Sequence, residues 1–258
     1  MTFAVGVIVE VVCYTIEDVL RARQGGAQRV ELCSDPGAGG TTPNYGFIKQ
    51  TAAFDDIDTM VMIRPRGGDF LYSDQEIFQM EDDIRLAAQL GVRGVVFGVL
   101  DENGSFATLT MSRLVQLAKS LKLEVTCHRA FDVTRDPHQS LQSLIELGVD
   151  RLLTSGQQKT AVEGIPLLRE LIQLAAGRIS IMPGGGIRPE NAGEFLQLDI
   201  NEIHTGSKTK VASRMKPIES DVQMGYEDTK DYHMFVDVEG IQSIVETMRG
   251  EGNCSKKY

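Results

Sequence analysis

Apolar and polar positions follow two rhythms along this chain. Short runs rich in Val, Ile and Leu fall at 7–12, 28–32, 60–63, 94–99, 123–127, 151–154, 178–182 and 202–205, with the length and composition of buried strands. Between them apolar residues recur three and four apart, the period of a helix with one buried face. The clearest stretches are 73–90, 110–121, 137–147, 160–175 and 188–198, with a last one at 239–249. Ile84, Leu86, Ala87, Ala88 and Leu90 make the apolar stripe of the first, and Ser73 with Glu76 forms a capping box at its start. Gly91 and Gly148 stand where a helix would end, each followed by a Val that opens a strand.

Strand alternating with helix predicts a parallel sheet. Eight such units in 258 residues predict a single-domain (β/α)8 TIM-type barrel over 1–258, a fold of roughly 250 residues. An open doubly wound sheet is the alternative. No Pro- or Ser-rich linker divides the chain. The segment 208–231 lacks periodicity and reads as an irregular loop after the eighth strand, either plain surface or a lid; 252–258 reads as a frayed tail.

Hydrophobic residues make up 42%, enough for a core. Lys plus Arg total 26 against 36 Asp plus Glu, a net charge of −10. That balance argues against nucleic acid and against a polybasic membrane anchor, but leaves room for a local anion site. No stretch reaches the roughly 18 apolar residues of a membrane span. The apolar start over 3–13 is interrupted by Glu10 and lacks a basic lead, so it reads as a strand rather than a signal peptide. Cys13, Cys33, Cys127 and Cys254 form no CxxC pair, and free thiols suit the cytoplasm.

In a barrel, chemistry gathers at the C-terminal ends of the strands. Those ends are polar here: Glu10, Glu31 with Cys33, Arg64 with Arg66, His128, Ser155, Gly184-Gly185-Gly186, and His204 with Ser207. Alternation puts Glu31 and Cys33 on one face, and sets Cys127 outward and His128 inward. Glu10, Glu31, Arg64 and His128 are candidate catalytic residues: carboxylates and imidazole for acid–base work, guanidinium for a carboxylate or phosphate. The competing reading is an ion-pair network that only orders the mouth. Arg66, Ser155, Gly184, Gly185, Gly186 and Ser207 are candidate anion-binding residues, since a Gly triplet before a helix exposes backbone N–H groups. A tight turn is the plainer reading of that triplet.

The motifs Gly25-Gly26-Ala27-Gln28-Arg29-Val30-Glu31-Leu32-Cys33-Ser34, Val61-Met62-Ile63-Arg64-Pro65-Arg66-Gly67-Gly68-Asp69-Phe70, Cys127-His128-Arg129-Ala130-Phe131-Asp132 and Ile181-Met182-Pro183-Gly184-Gly185-Gly186-Ile187 resemble, in order, those of the CutC copper homeostasis family. So do Gly39-Gly40-Thr41-Thr42-Pro43, Val96-Phe97-Gly98 and Leu153-Thr154-Ser155-Gly156. The resemblance runs from about residue 10 to 207. It implies a barrel, a cytoplasmic homo-oligomer and Cu(I) bound by cysteine, here Cys33. The family's first strand reads Glu-Val-Cys, and its cysteine falls on Val12 in this chain. Cys33 would then need His, Met62 or a partner subunit beside it. Ala38 and Cys127 also depart from the family's usual Glu and Phe. Two functions are thus expected in competition. One is a copper homeostasis protein. The other is a barrel enzyme of isomerase, lyase or hydrolase type, acting on a small phosphorylated or carboxylated metabolite.

Overall fold

The computed structural model describes residues 6–216 and 232–250. Eight parallel strands appear in chain order: β1 (Ile8–Cys13), β2 (Arg29–Leu32), β3 (Asp58–Met62), β4 (Gly94–Phe97), β5 (Glu124–Cys127), β6 (Arg151–Thr154), β7 (Ser180–Pro183) and β8 (Glu202–Thr205). They pair in the order β7-β6-β5-β4-β3-β2-β1-β8. A single parallel bridge between Gly184 and His204 joins the two ends of that row and closes the ring. This is the TIM-type barrel that the alternation predicts.

Helices cover the outside: α1 (Ile16–Gln24), α2 (Tyr45–Thr51), α3 (Asp74–Gln89), α4 (Thr108–Ser120), α5 (Pro137–Glu146), α6 (Ile165–Ala175) and α7 (Val238–Met248). The capping box of α3 forms as expected, with Ser73 and Glu76 bonding each other's backbone. Two helices differ from expectation. The stretch 160–175 becomes helical only from Ile165, because Thr160 and Glu163 bond each other's backbone N–H in a local turn. The stretch 188–198 holds only a 3₁₀ segment, Ala192–Gln197. There Asn191 Oδ1 takes the Arg188 N–H at 2.9 Å, Pro189 follows, and Gly193 weakens the helix.

After β8 the chain enters an antiparallel hairpin of β9 (Lys208–Ala212) and β10 (Tyr232–Val236). The expected irregular loop over 208–231 therefore opens as a strand, and its part 217–231 lies outside the described residues, as do the tail 252–258 and Cys254. No described helix is long and apolar enough to cross a membrane.

Alternation divides each strand between two cores. Val9, Val11, Cys13, Val30, Leu32, Val61, Val95 and Phe97 face the helices in one large apolar cluster. Inside the ring the layer is mixed. Met60, Met62, Val96 and Cys33 form a small cluster, with Val12 and Tyr14 against it. Below them lies a set of buried charges. Arg29 pairs with Glu10 and Glu202, and Arg151 pairs with Glu202 and Glu124. Arg151 Nη1 also donates to Thr126 Oγ1 at 3.0 Å. Buried ions are tolerated only when paired and hydrogen-bonded, and these are.

Candidate functional site at the barrel mouth

A cleft of about 250 Å³ opens at the C-terminal end of the strands. Its walls carry Glu31, Cys33 and Arg64 on one side, His128 and Arg129 on another, and Gly185, Gly186 and His204 on a third. Val12, Tyr14, Met62, Phe70 and Leu153 supply the apolar lining.

Glu31 is buried at the top of β2, opposite Val12 of β1. Its Oε2 lies 3.6 Å from the Cys33 thiol and 3.9 Å from His204 Nε2, while Oε1 has no hydrogen-bond partner. Burial, and then the charge of Glu10, raise its carboxyl to about 7 against the opposing pull of His204.

Glu10 sits beneath the cleft rather than in its wall. Its Oε1 lies 2.8 Å from His204 Nδ1, and its Oε2 meets Arg29. Burial works to raise this carboxyl, but Arg29 and His204 outweigh it and hold it down at about 2. Burial likewise works to lower His204, and the bond to Glu10 with the charge of Glu31 reverses that, so the imidazole is shifted up.

His128 follows β5 and starts a 3₁₀ turn. Its Nδ1 accepts the Ala130 N–H at 3.2 Å, which places the proton of the neutral ring on Nε2. That Nε2 is buried without a partner. Burial, and next the Arg64 charge, push the imidazole down to about 3, so it is neutral at pH 7. The ring packs 5.0 Å from Phe70, and a Cβ at Gly98 would stand 3.0 Å from it.

Arg64 is 5% exposed, and among the described residues no carboxylate pairs with it. Its Nη1 donates to Ala38 O at 2.7 Å and Gly40 O at 2.8 Å, and its Nη2 to Gly68 O at 2.9 Å. It therefore ties two mouth loops together while its charge stays uncompensated by any acid.

Gly185 and Gly186 reach the cleft with φ of +109° and +75°. These are conformations that glycine adopts without strain. Gly184 does not line it; its N–H goes to Thr154 O at 3.0 Å, and its Cα packs on Leu153 and His204. Three other candidates stand apart. Arg66 turns outward to Asp69, Glu76 and Leu71 O. The Ser155 hydroxyl is engaged by Asp132, Gln158 O and Arg129. Ser207 lines a different pocket, with Arg188 and Lys208.

Sequence reasoning passed over Arg29, Arg151 and Glu202, which hold the barrel floor, and Arg129, which stands at the cleft rim. The signal for the first three is a charged residue at an inward strand position, in phase with Glu10 and Glu31.

For a metal, no three His, Cys, Asp or Glu side chains converge among the described residues. Two sulfur-bearing side chains, Cys33 and Met62, share the small cluster inside the ring. A Cβ at Gly40 would stand 3.1 Å from Cys33 Sγ and 3.8 Å from Met62 Cε. Val12, where the resemblance set a cysteine, faces the cleft, and Cys13 points outward, its thiol 3.6 Å from Val11 O. Burial, and then Glu31, push the Cys33 thiol well up.

Residues 7–209 match the model of the CutC family. A family protein CutC of Parabacteroides distasonis is 50% identical over 220 residues, covering 84% of this chain and 90% of that protein. The human copper homeostasis protein cutC homolog is 44% identical over 221 residues, covering 85% and 80%. The crystal structure of a copper homeostasis protein CutC from Streptococcus agalactiae superposes with a TM-score of 0.73 at 34% identity, over 77% of this chain and 97% of that one. With the barrel and these matches in hand, the chain belongs to the CutC family.

Proposed function

We propose that this protein serves copper homeostasis and holds Cu(I) at the barrel mouth through Cys33 Sγ and Met62 Sδ. The observation that carries this reading is the approach of those two side chains to one point beside Gly40, inside a small cluster with Met60 and Val96. Cu(I) favours thiolate and thioether ligands, and two such donors suit it where no three His, Cys, Asp or Glu side chains converge among the described residues. The human relative's description as a copper homeostasis protein supports the same reading. Binding requires the thiolate, so metal displaces the proton now directed at Glu31 Oε2. Affinity therefore rises with pH.

A cytoplasmic location accords with Cys13, Cys33 and Cys127 being free. A homo-oligomer follows from the family resemblance, and sedimentation of the purified chain tests it. For copper, the experiment is anaerobic titration of the reduced protein with Cu(I) against a competing chelator. One equivalent bound by wild type, lost in Cys33→Ser and weakened roughly tenfold in Met62→Leu, supports the site. Unchanged affinity in Cys33→Ser removes it.

A further inference from the structure

The mouth cleft has features that two sulfur ligands leave unused. Three of its wall residues carry buried polar atoms without partners, His128 Nε2, Glu31 Oε1 and Arg64 Nε. An unmade hydrogen bond of this kind costs about 1–3 kcal/mol, so proteins keep few of them, and a cluster at a cleft calls for a partner. The first two are chemically opposite. His128 Nε2 bears a hydrogen, because Nδ1 is committed to accepting from Ala130 N–H. Glu31 Oε1 is a carboxyl oxygen, which exchanges a hydrogen bond with a hydroxyl in either protonation state. A buried cation stands beside them. Arg64 lines the same cleft with Nη1 and Nη2 bonded to three backbone carbonyls, its Nε without a partner, and no carboxylate paired with it among the described residues. Phe70 lies 5.0 Å from both the Arg64 guanidinium and the His128 ring, so cation and donor flank one aromatic wall.

We infer that this cleft binds a small hydroxy-carboxylate. The ligand's carboxylate accepts from His128 Nε2–H in the field of Arg64, and its hydroxyl meets Glu31 Oε1. Size agrees: about 250 Å³ falls below the roughly 300–1,000 Å³ of sites for drug-sized ligands. A ligand of a few carbons fits, and a nucleotide does not. Gly185 and Gly186 bring no side chain to the third wall beside His204, which gives the ligand room. Carboxylate is favoured over phosphate because the exposed cation at the rim, Arg129, is already paired with Asp132. That leaves one buried positive charge for the ligand.

The test uses the copper-free, reduced protein and calorimetric titration with D-glycerate, L-glycerate, propionate, glycerol and inorganic phosphate. One glycerate enantiomer is expected to bind at least tenfold tighter than propionate, glycerol or phosphate, the ratio that one charge-assisted hydrogen bond supports. His128→Phe keeps a ring but removes the donor, and it weakens glycerate and propionate together. Glu31→Leu removes only the hydroxyl's partner, so glycerate falls to the level of propionate. If either variant fails to fold, the wild-type comparison of glycerate with propionate and glycerol decides alone. Three results overturn the inference: no saturable binding of either enantiomer, phosphate or propionate binding as tightly as glycerate, or folded variants that bind glycerate like wild type. Water filling the three open valences gives the first of these.

Discussion

His204 Nδ1 and Glu10 Oε1 stand 2.8 Å apart on strands β8 and β1, where the two residues are direct register partners. This pair couples the cleft to the charged floor below it, because Glu10 gives its other oxygen to Arg29. Glu10→Gln removes the charge that lifts the imidazole. The His204 pKa, raised above its ordinary 6.5 in the wild type, then drops below the wild-type value in the variant. NMR titration of the ring resonances checks this, and an unmoved midpoint means that Glu10 is not what holds the proton there.

The floor network carries stability in one direction only. Arg29→Met takes one partner from each of Glu10 and Glu202 in a closed interior, leaving Glu10 with His204 and Glu202 with Arg151. Removing one partner of a buried pair costs about 3–5 kcal/mol. Urea unfolding of wild type and variant measures it. A loss under about 1 kcal/mol, the range of exposed pairs, places these charges in contact with solvent.

His128 and Glu31 contribute to stability with opposite dependence on pH. His128 is lowered to about 3 in the fold. Its share of stability is present above its unfolded pKa of 6.5 and is lost as pH falls toward 3. Glu31 is raised to about 7, so its share is present below 4.5 and is lost as pH rises through 7. The stability difference between wild type and His128→Gln therefore grows from pH 4 to 6.5, and that between wild type and Glu31→Gln shrinks over the same span, in terms of each group's own contribution. Urea midpoints at several pH values read both slopes. Parallel slopes mean that burial does not govern the two groups.

Gly184 is fixed by space. A Cβ there would overlap Leu153 Cδ1 and stand 3.0 Å from His204 Cβ. Gly184→Ala overpacks the point where the ring closes, at a cost of about 1–3 kcal/mol. Thermal unfolding measures the cost, and a shifted His204 resonance shows the local strain. A variant as stable as wild type means that Leu153 yields without loss.

The eight strands were legible because Val and Ile runs with turn residues between them have few other uses. The 6-residue strand Ile8–Cys13 even shows which side is which: Cys13 packs outward with Val9 and Val11, and Glu10 points in. The 3₁₀ segment before β8 was misread because apolar spacing around Phe195 and Leu198 resembles a helix, while Pro189 and the Asn191 turn decide the backbone. At the mouth, Glu31, Cys33, Arg64, His128, Gly185 and Gly186 follow from strand-end position. Ser155 and Arg66 do not reach it, because each finds a nearer partner in its own loop, Asp132 for one and Asp69 with Glu76 for the other. Sequence gives position along the strand but not which neighbour wins a side chain. Arg29, Arg151 and Glu202 were passed over for a related reason: at the start of a strand a charge looks solvated, and only ring closure encloses it.

The lone bridge between Gly184 and His204 makes the barrel a hoop with one clasp. Every other seam is a ladder of two or more successive register pairs, so the seam between β7 and β8 has the fewest backbone pairs to break. His204 belongs to the cleft and to that clasp at once. Whatever occupies the mouth and steadies His204 thus also fastens the hoop, and amide exchange along β8 would slow when it binds.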